Sequence, residues 1–151
     1  MRRTIEHVRE FAAADQGLAF VSFARADGTV HSTLINAGVM KHPVTDEEVV
    51  AFVVRGDTVK LRHWRHTPTA TITFRAGWSW IGVEGSVTQV GPDDPMEGFD
   101  AADLPRLLRD IFTAAGGTHE DWEEYDRVMA AECRAGVFIH PTKIRGTNLG
   151  R

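Results

Sequence analysis

The chain has 151 residues, 42% hydrophobic and 25% charged, the composition of an ordinary globular protein, so we expect a single domain over residues 1–151. Its net charge of −4 argues against a nucleic-acid or anionic-membrane partner, and its single cysteine, Cys133, excludes an internal disulfide and a cysteine-rich zinc site. No apolar run approaches the ~18 residues of a membrane-spanning helix and the first residues lack a signal-peptide pattern, so we expect a cytoplasmic protein.

The first part of the chain predicts one helix followed by three strands. Apolar residues at helical spacing indicate a short amphipathic helix that stops at Asp15-Gln16-Gly17. Asp27-Gly28 supplies the tight turn of a hairpin between the first two strands. The third strand is apolar on both faces, which indicates a central position. The predicted strands span residues 18–24, 29–39 and 49–54.

A helix over residues 57–67 follows, with Asp57 as its N-cap and Pro68 ending it. Further strands are predicted over residues 69–74, 78–90 and 137–140, two helices over residues 101–115 and 119–132, and a polar tail over residues 142–151. Six mostly consecutive strands do not form an alternating βαβ pattern. The sequence therefore predicts a mainly β (α+β) fold, an antiparallel barrel with peripheral helices.

The segment from Arg55 to His66 carries the clearest chemical signal. A glycine break leads from a buried strand into the first turn of a helix, where free N–H groups together with Thr58 and Lys60 form an anion site. Arg62 and Arg65 add positive charge nearby. The alternative interpretation is a solvated basic helix face.

Two other segments are candidates for a ring pocket. Small and polar residues in the second strand, Thr33 to Asn36, let a flat ring lie close to the backbone, although such residues also occur in strands for their β-propensity alone. Trp78 and Trp80, with Ser79 between them, could form the wall of a ring pocket or an interface. Equally, one tryptophan could lie in the core and the other on a rim.

No metal site is predicted. His63 and His66 are three residues apart on a helix, but no carboxylate completes a ligand set, and the flanking arginines would repel a cation. The chain also contains no nucleophile elbow, phosphate loop or dinucleotide glycine fingerprint. Catalytic residues therefore stay unassigned.

The run from Lys60 to Thr71 resembles the K-x-R-x-L-R-x-x-P segment of the pyridoxamine phosphate oxidase-like superfamily, most closely its flavin/deazaflavin oxidoreductase branch. Residues 78–85 are similar to that branch's next strand, residues 119–125 to its late helix, and the Asp27-Gly28 hairpin to its first hairpin. These similarities cover nearly the whole chain in order. Relatives often carry an arginine where this chain has Thr58.

The resemblance implies a six-stranded FMN-binding split β-barrel and a homodimer whose cofactor lies in clefts shared by both subunits. It places the cofactor phosphate at Lys60 and implies that Arg62 and Arg65 suit the polyglutamate tail of the deazaflavin coenzyme F-420. It implies that the ring is lined by Thr33, Leu34, Ile35, Asn36, Val53, Val54 and Arg55, with Trp78, Ser79 and Trp80 reaching the site from the strand beyond.

The function implied by the resemblance is an oxidoreductase that uses coenzyme F-420 to transfer hydride to a small unsaturated organic substrate. One alternative is an FMN-dependent oxidase or reductase of the same fold. Another is a carrier or sensor that binds a flavin, haem or tetrapyrrole without turnover. In each case the protein positions the cofactor, and the redox chemistry is the cofactor's own.

Overall fold

The computed structural model describes residues 2–150 and contains six strands and four α-helices within that range. The strands are β1 (Leu18–Ala24), β2 (Val30–Lys41), β3 (Glu48–Val54), β4 (Thr69–Ala76), β5 (Ser79–Val90) and β6 (Ala135–Gly146). The helices are α1 (Ile5–Ala14), α2 (Val59–His66), α3 (Leu104–Ala114) and α4 (Trp122–Ala131), and a short 3₁₀ helix (Ala101–Asp103) precedes α3.

The six strands form a closed barrel in the order β1-β2-β3-β6-β5-β4, and every neighbouring pair is antiparallel. The predicted antiparallel barrel with peripheral helices is therefore confirmed. Its interior is filled by side chains such as Val21, Phe52, Phe74 and Ile139, which are inaccessible to solvent. Burial of this apolar surface is the main force that holds the barrel together.

β3 is buried on both faces, as its sequence predicts. Alternate residues, including Val50 and Phe52, point into the barrel. Val49 and Ala51 point outward into a second apolar cluster, which α3 covers with residues such as Ile111. The outer surface of β3 is thus the platform on which α3 and α4 pack.

None of the helices in residues 2–150 is long and apolar enough to cross a membrane.

β6 is longer than predicted. The sequence predicts a strand over residues 137–140 and a polar tail from residue 142, but the strand continues to Gly146 and pairs with β5 as far as Ile81. A register shift between Glu84 and Gly85 lets the ladder continue. The prediction of a polar tail was wrong because the outer face of the β5–β6 ladder is solvated here. Its residues are therefore polar although they are paired in the sheet.

Candidate functional site

A cleft opens where β2 and β3 separate. The ladder between them ends at Ala37 and Phe52; the earlier residues of β2 pair with β1, and the later residues of β3 pair with β6. Between the separated strands and the helices α3 and α4 lies a cavity of about 440 Å³, called the main cleft below. It is lined by Leu34, Ile35, Asn36, Val53, Val54, Arg55, Thr58, Lys60, Ile111, Phe112, Ala115, Tyr125, Met129 and Arg134.

The charged part of this lining is entirely cationic. Arg134 is paired with Glu132 at 2.8 Å, whereas Arg55 and Lys60 have no ion-pair partner in residues 2–150. Burial lowers the pKa of Lys60 below its usual value, because a desolvated ammonium group is less stable than a hydrated one. An anion bound beside Lys60 would stabilise the charged form again. The main cleft therefore favours a ligand with a negative group.

The junction between β3 and α2 places these cations. Gly56 is required there, because a Cβ atom would lie 2.5 Å from the carbonyl oxygen of Cys133. Thr58 is the N-cap of α2, and its hydroxyl accepts a hydrogen bond from the backbone N–H of Leu61 at 3.5 Å. Its side chain stands at the first turn of the helix, beside the main cleft.

The prediction of Asp57 as the N-cap was wrong. Asp57 has a φ of +61°, in the left-handed region, and its carboxylate contacts Arg62 at 3.2 Å. This conformation turns the carboxylate away from the first turn of α2 and leaves the cap to Thr58. The carboxylate that would compete with an anion for the helix N-terminus is thus directed elsewhere.

The remaining lining of the main cleft is mostly apolar. The separated strands form one wall, which includes Leu34 and Val53, and the helices form the other, which includes Phe112 and Met129. Tyr125 belongs to the helical wall. Its hydroxyl donates to the carbonyl oxygen of Leu108 at 3.0 Å, and burial raises its pKa to about 12. Tyr125 is therefore uncharged at physiological pH, and its hydroxyl proton is used in the hydrogen bond that joins α4 to α3.

The structure brings together much of the set that the sequence singled out. Eight of these residues line the main cleft: Leu34, Ile35, Asn36, Val53, Val54, Arg55, Thr58 and Lys60. Sequence reasoning missed the residues of α3 and α4, together with Arg134. The helical spacing of Tyr125 and Met129 showed that they share a face, but periodicity does not say which surface that face covers.

Both outer arginines of α2 lie away from the main cleft. Arg65 makes two hydrogen bonds with the carboxylate of Asp94, at 2.7 and 2.8 Å, and this pairing lowers the pKa of Asp94. Arg62 faces Asp57 on the exposed side of the helix. The structure thus shows Arg65 joining α2 to the loop after β5, a role that the local sequence did not suggest.

The other predicted residues also lie outside the main cleft of their own chain. Thr33 has a buried hydroxyl without a hydrogen-bond partner in residues 2–150. Trp78 is 92% exposed at the turn between β4 and β5, Ser79 is buried, and Trp80 is partly exposed. β5 is separated from β2 by β1 and β4 in the barrel. Residues 78–80 therefore do not reach the main cleft within one subunit.

The described residues, 2–150, hold no group of three or more histidine, cysteine, aspartate or glutamate side chains arranged to bind a metal ion. His63 instead stacks on Phe23, with ring centroids 4.0 Å apart. This stacking places His63 in the packing between α2 and the barrel.

No family model and no curated protein matches the sequence. Solved structures do match the fold. A pyridoxamine 5'-phosphate oxidase-related, FMN-binding protein from Nostoc punctiforme is similar over 96% of this chain and 82% of its own, with a TM-score of 0.65 and 12% identity. A protein described as an F420 reductase matches 85% of this chain and 88% of its own, with a TM-score of 0.57 and 16% identity.

A heme-binding protein from Mycobacterium smegmatis is similar over 100% of this chain and 57% of its own, with a TM-score of 0.61 and 11% identity. At these identities the similarity establishes the fold. The chain has the split β-barrel fold shared by pyridoxamine phosphate oxidase-related proteins.

Proposed function

We propose that this split-barrel protein is an oxidoreductase that binds a flavin-type cofactor in the main cleft, and that the cofactor is the deazaflavin coenzyme F-420. One observation carries the proposal: the main cleft is apolar along its walls and cationic near the start of α2, with no carboxylate in its lining among residues 2–150. A flat apolar ring with an anionic chain has the complementary character.

The residues of the main cleft have distinct tasks in this proposal. Lys60 and Arg55 bind the anionic chain, and Thr58 offers a hydroxyl beside them. Leu34 and Val53 on one side, with Phe112 opposite, enclose the ring and exclude water. When bound in reduced form, a flavin or deazaflavin supplies hydride to an activated double bond of a small substrate. Positioning of the two reactants is the protein's contribution.

An FMN-dependent oxidase or reductase is the second candidate, and the position of Arg65 favours it. Coenzyme F-420 carries a polyglutamate tail, for which the sequence offered Arg62 and Arg65. Arg65 is held by Asp94 and Arg62 faces Asp57, both outside the lining of the main cleft, so the tail lacks both of these partners. The single phosphate of FMN requires no more than Lys60, Arg55 and the adjoining helix terminus.

We further propose that the protein works as a homodimer. Leu18 and Phe20 on β1 and Leu34 on β2 expose 38%, 51% and 57% of their surface on one outer face of the barrel. A twofold axis between β1 and β4 would exchange β5 with β2, because the strand order there is β2-β1-β4-β5. That symmetry would bring Trp80 of the partner subunit over Leu34, beside the main cleft.

The test is a side-by-side titration of the dialysed protein with coenzyme F-420, FMN and haem, followed by tryptophan fluorescence. Trp122 reports on the main cleft, since its ring lies 6.1 Å from that of Phe112. We expect saturable quenching by one or both flavin-type cofactors with one site per subunit. Mixing the reduced complex with an α,β-unsaturated ketone should then reoxidise the cofactor.

Two results would overturn the proposal. Failure of both F-420 and FMN to bind would reject the flavin-type site. Tight binding of haem alone, or binding of a flavin without reoxidation by any acceptor offered, would favour a carrier or sensor instead.

A further inference from the structure

Asn36 stands between two cavities. One is the main cleft. The other, called the side cavity here, has a volume of about 580 Å³ and lies between the end of α1 and the end of α3. Asn36 and Ala115 line both cavities. A ligand in the main cleft that extends toward the side cavity must therefore pass the amide of Asn36.

The orientation of this amide is fixed by its neighbours. Its nitrogen, Nδ2, donates to the carbonyl oxygen of Gln16 at 2.6 Å and to that of Ala115 at 3.2 Å. A carbonyl oxygen can only accept, so the Nδ2 side must face these two groups. Both amide hydrogens are used, and Oδ1 has no donor among residues 2–150. Oδ1 of Asn36 is therefore an unused acceptor on a residue that lines the main cleft.

The two carbonyls are held in place by the ends of two helices. Gln16 has a φ of +57° just after α1, and Gly17 has a φ of +73°. A Cβ atom on Gly17 would lie 2.7 Å from Nδ2 of Asn36, so only glycine allows the amide to approach. Ala115 is the C-cap of α3, where carbonyl groups lack helical partners. The two groups that orient the amide are thus backbone carbonyls at helix ends, so the fold sets the direction of Oδ1.

We infer that Oδ1 of Asn36 accepts a hydrogen bond from a ring N–H at the edge of the bound ligand, and that this contact selects the ligand class. The inference rests on the proposed function. Flavins and deazaflavins share an imide N–H between two carbonyls on the pyrimidine edge of the ring. The outer edge of haem carries alkyl groups and carboxylates and no N–H. An acceptor at this position therefore favours flavin-type rings over tetrapyrroles.

The experiment compares FMN with its N3-methyl derivative, in which a methyl group replaces the imide hydrogen. In the wild-type protein we expect the methylated compound to bind about 10- to 100-fold more weakly, because the acceptor is left unpaired against an apolar group. In Asn36→Ala the two compounds should bind within about 2-fold of each other. Asn148→Ala, in the C-terminal segment outside both cavities, is the matched control and should keep the wild-type discrimination.

The outcomes separate the two claims. Equal affinity of the wild-type protein for FMN and N3-methyl-FMN overturns the role of Asn36 while leaving the flavin site intact. Binding of neither compound, together with no binding of F-420, overturns the proposed function and this inference with it. Discrimination that persists in Asn36→Ala assigns the contact to another group and likewise overturns the role of Asn36. Equal affinity in the wild-type protein does so even where Asn36→Ala fails to fold.

Discussion

Lys60 supplies charge to the main cleft because it is half-buried, cationic and without a carboxylate partner in the described chain. We predict that Lys60→Gln weakens FMN or F-420 binding roughly 10- to 100-fold, the loss of one charge-assisted hydrogen bond of about 1.5–3 kcal/mol. Fluorescence titration measures the dissociation constants. Arg62→Gln on the same helix removes the same charge outside the cleft and should leave FMN affinity within about 3-fold of wild type. Equal losses in the two variants would indicate a general electrostatic effect only.

His42 makes the stability of the barrel depend on pH. Its Nδ1 accepts hydrogen bonds from the backbone N–H groups of Val44 and Thr45, both at 3.2 Å, and its Nε2 lies 3.1 Å from Oγ1 of Thr88. Burial, with a smaller effect from His140, lowers the pKa of His42 below its ordinary value. Protonation of Nδ1 would oppose both backbone donors.

The direction of this pH dependence follows from the protonation of His42 in the folded and the unfolded chain. The unfolded chain takes up a proton near pH 6.5, before the folded one does, so the contribution of His42 is complete above that pH and is lost as the pH falls. We predict that the free energy of unfolding declines below about pH 6.5, by up to about 1.4 kcal/mol per unit of pKa depression. Urea unfolding of His42→Gln should show a flatter pH profile. Exposed His66→Gln is the control, and a profile unchanged in His42→Gln would contradict this account.

At the scale of single residues, the local sequence predicted some residues of the candidate site and could not predict contacts between distant parts of the chain. The sequence could predict an anion site at Arg55, Thr58 and Lys60, because a strand-to-helix junction exposes backbone donors wherever it occurs. The ion pair of Arg65 was not foreseen because its partner, Asp94, is 29 residues away, and no local pattern reveals that pairing. Asn36 was singled out as polar, but its orientation depends on carbonyls from two distant helix ends.

At the scale of elements, the position of α3 against β2 shapes the main cleft. A Cβ atom on Gly38 would lie 2.1 Å from the carbonyl oxygen of Ala114, so α3 packs directly on the backbone of β2. We predict that Gly38→Ala pushes α3 outward, costs about 1–3 kcal/mol of stability and weakens cofactor binding. Urea unfolding and titration measure the two effects.

The matched control is Gly82→Ala in β5, where the nearest atom to a new Cβ lies 3.6 Å away. That variant should unfold within about 1 kcal/mol of wild type. If Gly38→Ala proves as stable as Gly82→Ala and binds the cofactor normally, then contact between α3 and β2 does not set the shape of the cleft.

Element types and order follow from the sequence, whereas the helical wall of the cleft does not. β3 is apolar at every position after Glu48, and this alone predicted burial on two faces. The stripe on α4 predicted an amphipathic helix but could not distinguish the barrel surface from a dimer surface. The bidentate pairing of Arg109 with Asp126, which joins α3 to α4, is likewise invisible to periodicity.

At the scale of the whole molecule, the exposed apolar face of β1 and β2 requires a partner in our account. We predict that the wild-type protein sediments at twice the chain mass and that Phe20→Lys sediments as a monomer, since a buried charge without a partner opposes association. Val128→Lys, at a residue 42% exposed on α4, is the control and should stay dimeric. A wild-type protein that is monomeric at micromolar concentration would contradict the proposed dimer and the role of Trp80.

The barrel architecture was predictable because six mostly consecutive strands, without a regular βαβ alternation, leave few ways to bury all their apolar faces. The main cleft was not predictable, since its position depends on where the ladder between β2 and β3 ends. That point, at Ala37 and Phe52, is fixed by the path of β3 toward β6 on the other side.

Co-crystal structures with F-420 and, in parallel, with FMN at saturating concentration test the central claim most directly. Our account predicts the ring between Leu34 and Phe112, with the phosphate within hydrogen-bonding distance of Lys60 and the pyrimidine edge toward Asn36. A cofactor bound at another surface, or a main cleft that stays filled by its own side chains at saturation, would contradict it.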